Sequence, residues 1–67
     1  MEPQELETLR ESIRKLSRRA VHLKMDLHDL SEELPLGWEK IPEIATCTFE
    51  TYRDLTTAKE RLKAAEA

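Results

Sequence analysis

In this chain of 67 residues, the pattern closest to metal chemistry is a pair of histidines, His22 and His28, each with a carboxylate four residues further on. Asp26 follows His22 and Glu32 follows His28, and side chains four apart share one face of a helix. The histidines are six residues apart. On one helix they therefore point about 120° apart and cannot chelate the same ion.

Each histidine with its carboxylate supplies two ligands, which make a weak site. A dimer would double them to four, enough to hold a transition-metal ion if the faces met. Both histidines lie outside the apolar stripe described below, so surface histidines are the favoured interpretation. His22 and His28 remain the candidate ligands of an alternative, metal-handling function.

A run of basic residues, RKLSRRAVHLK at 14–24, raises the question of RNA binding. With one preceding arginine it has six basic side chains against the single carboxylate of Glu11. In a two-fold dimer such stripes could grip paired RNA loops. However, no aromatic residue is interleaved and the net charge is −3. A solvated helix face is therefore favoured, and RNA binding is a second alternative that we do not expect.

Catalysis finds little support in the residue types. Cys47 has no sequence neighbour that could activate it, and Ser12, Ser17 and Ser31 lie in helical or helix-end contexts. A filled helical bundle also offers no substrate pocket. We predict a non-catalytic protein without a cofactor. The polar N-terminus, the lone cysteine and the absence of a long apolar run predict a cytoplasmic protein that does not enter the membrane.

The apolar residues of the first half are spaced alternately three and four apart, as in a heptad seam of a coiled coil. They are Leu6, Leu9, Ile13, Leu16, Ala20, Leu23, Leu27, Leu30 and Leu34. Pro3 suits the first helical turn, and Pro35 and Gly37 would end the helix. The pattern predicts a helix over about 3–33.

The second half carries another helical stripe made of smaller residues. Its members are Ile41, Ile44, Ala45, Thr48, Tyr52, Leu55, Ala58, Leu62 and Ala65. Pro42 suits the first turn of a helix, and the carboxylate of Glu43 interacts favourably with the positive N-terminal end of the helix dipole. We predict a helix over about 42–65, a turn at 34–41 and a single helical-hairpin domain over 1–67.

A linker this short forces the two helices into an antiparallel hairpin. A hairpin of this size buries too little apolar surface to be comfortably stable, and one side of each seam stays wet. A second hairpin would close the core. The predicted fold is all-α: an antiparallel two-helix hairpin forming a homodimeric four-helix bundle, with the first helix central to the interface. The predicted dimer core is Leu9, Ile13, Leu16, Ala20, Leu23, Leu27, Leu30, Leu55 and Leu62.

The turn segment, ELPLGWEKIPEIA at 33–45, holds the only Gly, the only Trp and two of the three Pro residues. Trp38 could cap the hairpin end, or could stay partly exposed and dock in a partner. A tryptophan in a proline-bracketed turn loses little entropy on binding. Neighbouring carboxylates favour a basic partner. The predicted partner-binding residues are Glu33, Leu34, Pro35, Leu36, Trp38, Glu39 and Ile41.

Two strings, LKMDLHDLSEELPLGWEKIPEIA at 23–45 and TFETYRDLTTAKERLKAAE at 48–66, resemble a family of small Rop-like proteins encoded with nitrogen-fixation genes. The resemblance covers about residues 6–66. It implies a hairpin that dimerises into a four-helix bundle. It also implies an accessory role around nitrogenase, in which the protein binds the molybdenum–iron protein or a cofactor-assembly intermediate. Some members are labelled metalloproteins, but no family motif assigns ligands.

Overall fold

The computed structural model describes residues 2–66, which form two long antiparallel helices joined by a tight turn. Helix α1 spans Pro3–Glu33, a short 3-10 helix spans Trp38–Lys40, and helix α2 spans Ile41–Glu66. The hairpin is a rod of 49 × 15 × 14 Å. The predicted all-α hairpin is confirmed, and α2 begins one residue earlier than predicted. The assembly of two hairpins into a bundle stays a prediction.

Helix α1 forms where the sequence gives it both a start signal and a continuous seam. Pro3 occupies its first turn, and the Leu6 N–H donates to the Glu2 carbonyl at 3.0 Å. The seam residues Leu9, Ala20 and Leu30 are buried against α2, and Ala20 is only 1% exposed. Five further seam residues are half-buried within a single hairpin: Leu6, Ile13, Leu16, Leu23 and Leu27. Leu34, the last residue of the predicted seam, is 41% exposed.

The turn is built from backbone hydrogen bonds between residues three apart in the sequence and from one residue in the left-handed conformation. The Leu36 N–H donates to the Glu33 carbonyl at 3.0 Å, and the Lys40 N–H donates to the Gly37 carbonyl at 2.9 Å. Gly37 has a φ of 76°, a conformation that side chains with a Cβ rarely adopt. The Leu34–Pro35 peptide bond is cis. The two hydrogen bonds and the left-handed Gly37 reverse the chain within a few residues, so the helices lie side by side.

The seam of α2 differs from the predicted stripe at one turn. Thr51 is buried at 5% exposure, whereas the predicted member Tyr52 is 39% exposed and Ala45 is also exposed. The observed seam alternates four and three: Ile44, Thr48, Thr51, Leu55, Ala58, Leu62 and Ala65. The alternation averages about 3.5 residues, close to one helical turn, so it keeps these residues on the side of α2 that faces α1. Position on the helix therefore outweighs the greater hydrophobicity of tyrosine.

The hydroxyl of Thr51 is accommodated on the seam because Arg19 reaches it from α1. Nε of Arg19 donates to Oγ1 of Thr51 at 3.4 Å, a long hydrogen bond. The seam of α2 carries more small residues than the mostly leucine seam of α1. Since Arg19 and Thr51 meet, the middle of α1 lies level with the middle of α2.

Candidate interaction surface at the turn

Two apolar side chains project from the turn into solvent. Trp38 is 62% exposed and Leu36 is 75% exposed, although leucine is apolar and tryptophan is largely apolar. Leu34 and Ile41, which flank them, are also exposed. Large apolar side chains clustered in this way at the surface of a small protein usually mark a place where another molecule binds.

Gly37 is the residue through which this turn packs against the hairpin core. The backbone of Gly37 packs against the buried side chain of Leu30 in α1, and there is little room for a side chain between them. The 3-10 helix begins directly after Gly37 and carries Trp38 on its outer side. The indole is therefore presented by a short, hydrogen-bonded segment rather than by a loose loop. A group held in this way loses little conformational entropy when a partner covers it.

The end of the hairpin that carries the turn is strongly acidic. Residues 26–43 contain six carboxylates and one lysine, a formal net charge of −5, whereas the whole chain has a net charge of −3. All six carboxylates are exposed: Asp26, Asp29, Glu32, Glu33, Glu39 and Glu43. Such a concentration of one sign of charge attracts a positively charged surface and speeds its approach.

The seven residues predicted to bind a partner therefore lie together at one end of the rod. Glu33 is the last residue of α1, Glu39 lies in the 3-10 helix, and Ile41 opens α2. All seven are exposed. The apolar members supply area for burial, and the two glutamates supply part of the surrounding charge.

The histidines have the outward positions expected of residues off the seam. Both are exposed. Nε2 of His28 lies 3.6 Å from Oε1 of Glu32, and Nδ1 lies 3.5 Å from Oδ1 of Asp29. Over residues 2–66, however, no three His, Cys, Asp or Glu side chains are grouped so that they could hold a metal ion. His28 thus has the i, i+4 partner that the sequence predicted, and a metal site shared between two hairpins stays a prediction.

Part of the basic run is neutralised by carboxylates of the hairpin itself. Nη2 of Arg10 lies 2.9 Å from Oε1 of Glu66, an ion pair that joins the two helices at their free ends. Nη2 of Arg14 donates to Oε2 of Glu11 at 2.6 Å. That hydrogen bond and the charge of Arg14 hold the pKa of Glu11 below its ordinary value. The positive stripe available to a nucleic acid is accordingly reduced.

Sequence reasoning did not single out Phe49, which is 67% exposed on α2. Three residues on, Tyr52 is exposed as well. The signal that could have found them was the strict alternation of the α2 seam. Once Thr51 is placed on the seam, its neighbours Phe49 and Tyr52 must point elsewhere.

The features above define a class: a small protein made of one helical hairpin. The grooves along residues 2–66 are shallow and open. Neither α1 nor α2 has a stretch apolar enough, over enough residues, to cross a membrane.

This chain belongs to the Rop-like family, whose sequence profile matches residues 4–67. It is 48% identical over 63 residues to a UPF0437 protein of Azorhizobium caulinodans, covering 94% of this chain and 91% of that one. A UPF0437 protein of Trichormus variabilis is 44% identical over 63 residues, covering 94% and 73% of the two chains. No solved structure matches the chain.

A third relative is described by the position of its gene. It is a UPF0437 protein in the nifX–nifW intergenic region of Frankia alni, 46% identical over 43 residues. The match covers 64% of this chain and 52% of the relative.

Proposed function

We propose that this protein is a non-catalytic accessory protein of nitrogen fixation that works as a dimer of hairpins. Its turn end binds the nitrogenase molybdenum–iron protein or an intermediate of cofactor assembly. The observation that carries the proposal is the exposure of Trp38 and Leu36 on a turn fastened over Leu30, within an acidic end. The gene position of the Frankia alni relative supports the link to nitrogen fixation.

The surface area of the hairpin supports the dimer. A compact monomer of 7.8 kDa exposes about 4400 Å². This hairpin exposes 5334 Å², an excess of about 900 Å². In an interface of standard size each partner buries about 800 Å². The excess is thus close to the area that one second copy would cover, and the half-buried leucines of α1 are part of it.

The turn has the attributes of a binding hot spot. Tryptophan is enriched among the few interface residues whose truncation costs about 2 kcal/mol or more. Trp38 projects from the end of the rod, beyond the long sides that a second hairpin would cover. The surrounding carboxylates favour a partner surface with an apolar cleft bordered by Lys or Arg. One dimer presents two such ends.

The test is capture of the molybdenum–iron protein on the immobilised protein, with Trp38→Ala as the variant. Removing the indole should weaken binding by about tenfold or more. Met25→Ala is the matched control, because Met25 is also an exposed apolar residue but lies on α1 away from the turn. Circular dichroism verifies that both variants keep their helices. Equal capture by the wild type and by Trp38→Ala would remove the turn from the interface.

A further inference from the structure

The side of α1 that points away from α2 carries two large apolar side chains at mid-length. The seam residues Ala20 and Leu23 occupy heptad positions a and d. Val21 is then at position b and Met25 at position f, the two positions that lie opposite the seam. Val21 is 58% exposed and Met25 is 54% exposed. They are neighbours on adjacent turns, on a face that is polar in most surface helices.

Basic side chains surround this apolar pair. Residues 14–25 contain five basic residues and no carboxylate, a formal net charge of +5, whereas the whole chain has a net charge of −3. All five are exposed: Arg14, Lys15, Arg18, Arg19 and Lys24. One heptad before the apolar pair, positions b and f hold Arg14 and Arg18. Positive charge and apolar side chains therefore lie on one continuous strip of α1.

Much of the positive charge is not neutralised within the hairpin. Arg14 donates to Glu11, and Arg19 donates to Thr51 of α2. By contrast, Lys15, Arg18 and Lys24 form no ion pair with any residue of the stretch 2–66. The strip is about 18 Å long, or about three helical turns. We call it the α1 flank, and its members are Arg14, Lys15, Arg18, Val21, His22 and Met25.

We propose that the α1 flank is a second interaction surface, and that its partner is an acidic protein with an apolar groove bordered by Asp and Glu. The members at positions b and f are spaced four and three apart, as are the anchor residues of helices that bind in the groove of another protein. The flank is basic and the turn end is acidic, so the two surfaces select different partners. The inference thus goes beyond the proposed function: the protein holds a basic partner at its tip and an acidic partner on its side.

The α1 flank stays accessible when hairpins assemble into a bundle. In a four-helix bundle each helix turns its a and d positions to the shared core and its b and f positions to solvent. Val21 and Met25 occupy positions b and f, so a second hairpin packed on the seam leaves them uncovered. Their exposure therefore needs a partner other than a second copy bound at the seam.

The distribution of charge along α1 favours a protein over a longer polyanion. At the same b and f positions, Glu7 and Glu11 precede the flank and Glu32 follows it. A membrane or a nucleic acid that ran along the 49 Å rod would meet these carboxylates as well. Phosphate groups would also gain nothing from Val21 and Met25. A protein groove that matches the length of the flank avoids the carboxylates and buries the apolar pair.

The acidic turn of another copy also matches the α1 flank in charge. Such a contact would join two different surfaces, the tip of one copy and the side of the next. A contact of this kind does not close on itself and continues into open chains of molecules. A different protein is therefore the favoured occupant.

The experiment titrates the isotope-labelled full chain with two synthetic helical peptides and follows its backbone amide shifts. The first peptide has leucine at positions a and d and mostly glutamate elsewhere. The second is its matched control, with the same charge and alanine in place of each leucine. The leucine peptide should shift residues 14–25. It should also bind about tenfold more tightly than the alanine peptide, because only leucine buries Val21 and Met25.

Two variants test the apolar part of the α1 flank. Val21→Gln combined with Met25→Gln should weaken binding of the leucine peptide by about tenfold. Phe49→Gln is the matched control, because Phe49 is also an exposed apolar residue but lies on α2. Trp38→Ala should bind the peptide like the wild type, since the turn is a separate site. Circular dichroism verifies that each variant keeps its helices.

A second pair of variants tests the charge. Lys15→Gln with Arg18→Gln should weaken binding of the leucine peptide. Lys59→Gln with Lys63→Gln removes the same charge from exposed positions of α2 and should weaken binding less. Equal losses in the two double variants would show that net charge alone attracts the peptide, and would contradict a site on α1.

Four further results would overturn the proposal. Equal binding of the two peptides would reduce the interaction to charge, and shifts centred on Leu55 and Leu62 would place the leucine peptide on the seam. Tighter binding of a stem-loop RNA, or of vesicles containing phosphatidylglycerol, through residues 14–25 would assign the α1 flank to a nucleic acid or to a membrane. Open chains of the unmodified protein in sedimentation would assign it to the tip of another copy. None of these results bears on capture of the molybdenum–iron protein by the turn, so the two proposals fail separately.

Discussion

Gly37 in the turn lies directly against Leu30 in α1: a Cβ atom on Gly37 would be 3.2 Å from Cδ1 of Leu30. Leu30 is one of the buried seam residues, so the turn and the core share this contact. Gly37 also has a positive φ of 76°. The same position is therefore restricted twice, by backbone conformation and by space. The orientation of the neighbouring Trp38 depends on both restrictions.

Gly37→Ala should destabilise the hairpin by about 1–2 kcal/mol from the left-handed backbone, with a further cost from crowding against Leu30. Gly37→Asn separates the two effects, because asparagine tolerates the left-handed conformation but still carries a Cβ. Thermal unfolding followed by circular dichroism measures both variants. Alanine should be the more destabilising of the two. If alanine were as stable as glycine, the turn would have a different conformation from the one described.

Thr51→Lys should unfold the hairpin or cost about 3 kcal/mol or more. The new ammonium would be buried on the seam, near the guanidinium of Arg19 and without a carboxylate partner. Thr57→Lys is the control, since Thr57 is an exposed threonine of the same helix. Urea unfolding of both variants measures the difference. Equal free energies of unfolding for the two variants would indicate that Tyr52, and not Thr51, lies on the seam.

Glu11 should titrate below the ordinary range of a glutamate because Arg14 donates to its carboxylate. Its folded pKa lies below its unfolded pKa. The Glu11–Arg14 pair therefore stabilises the fold at pH values above the unfolded pKa of Glu11. This stabilisation is lost as the pH falls through the folded pKa. Carboxyl-detected NMR titration of Glu11 in the wild type and in Arg14→Gln measures the shift.

In Arg14→Gln the pKa of Glu11 should rise towards its ordinary value. Arg18→Gln should move it less, because the charge of Arg18 is a smaller cause of the shift. A Glu11 pKa that does not respond to Arg14→Gln would contradict the hydrogen bond.

The combined change Glu33→Gln and Glu39→Gln should slow capture of a basic partner and reduce its dependence on salt. Both carboxylates are exposed at the acidic end, where they act on the rate of encounter more than on the final contacts. Surface plasmon resonance at two ionic strengths measures the association rate. Glu5→Gln with Glu60→Gln removes the same charge far from the turn. If this control slowed association equally, net charge rather than the turn would be responsible.

Sequence pattern alone located the helices because their ends are marked by strong signals. Pro3 begins α1, and Pro35 and Gly37 end it, so its range could be predicted to the residue. The seam of α2 was harder because its residues are small and partly polar. A threonine at 51 looked less suited to a core than the tyrosine beside it. The choice depends on helix phase, which only strict counting from Ile44 to Ala65 fixes.

The sequence was enough to predict which residues form the turn, but not which of their side chains are exposed to solvent. Proline, glycine and tryptophan within a few residues indicate a fixed turn, and the surrounding carboxylates are visible in the sequence. Whether Trp38 folds back over Ile41 or projects into solvent depends on the direction in which Gly37 turns the chain. That direction follows from the packing of the turn on Leu30, which lies seven residues away.

Since the chain has a single tryptophan and it stands exposed at one tip of the rod, the protein carries its own fluorescent reporter. Its emission should describe that tip alone. A partner that covers the indole would shift the emission to shorter wavelength, whereas an event confined to the opposite tip would leave the spectrum unchanged. An unlabelled sample can thus tell which end of the molecule is engaged.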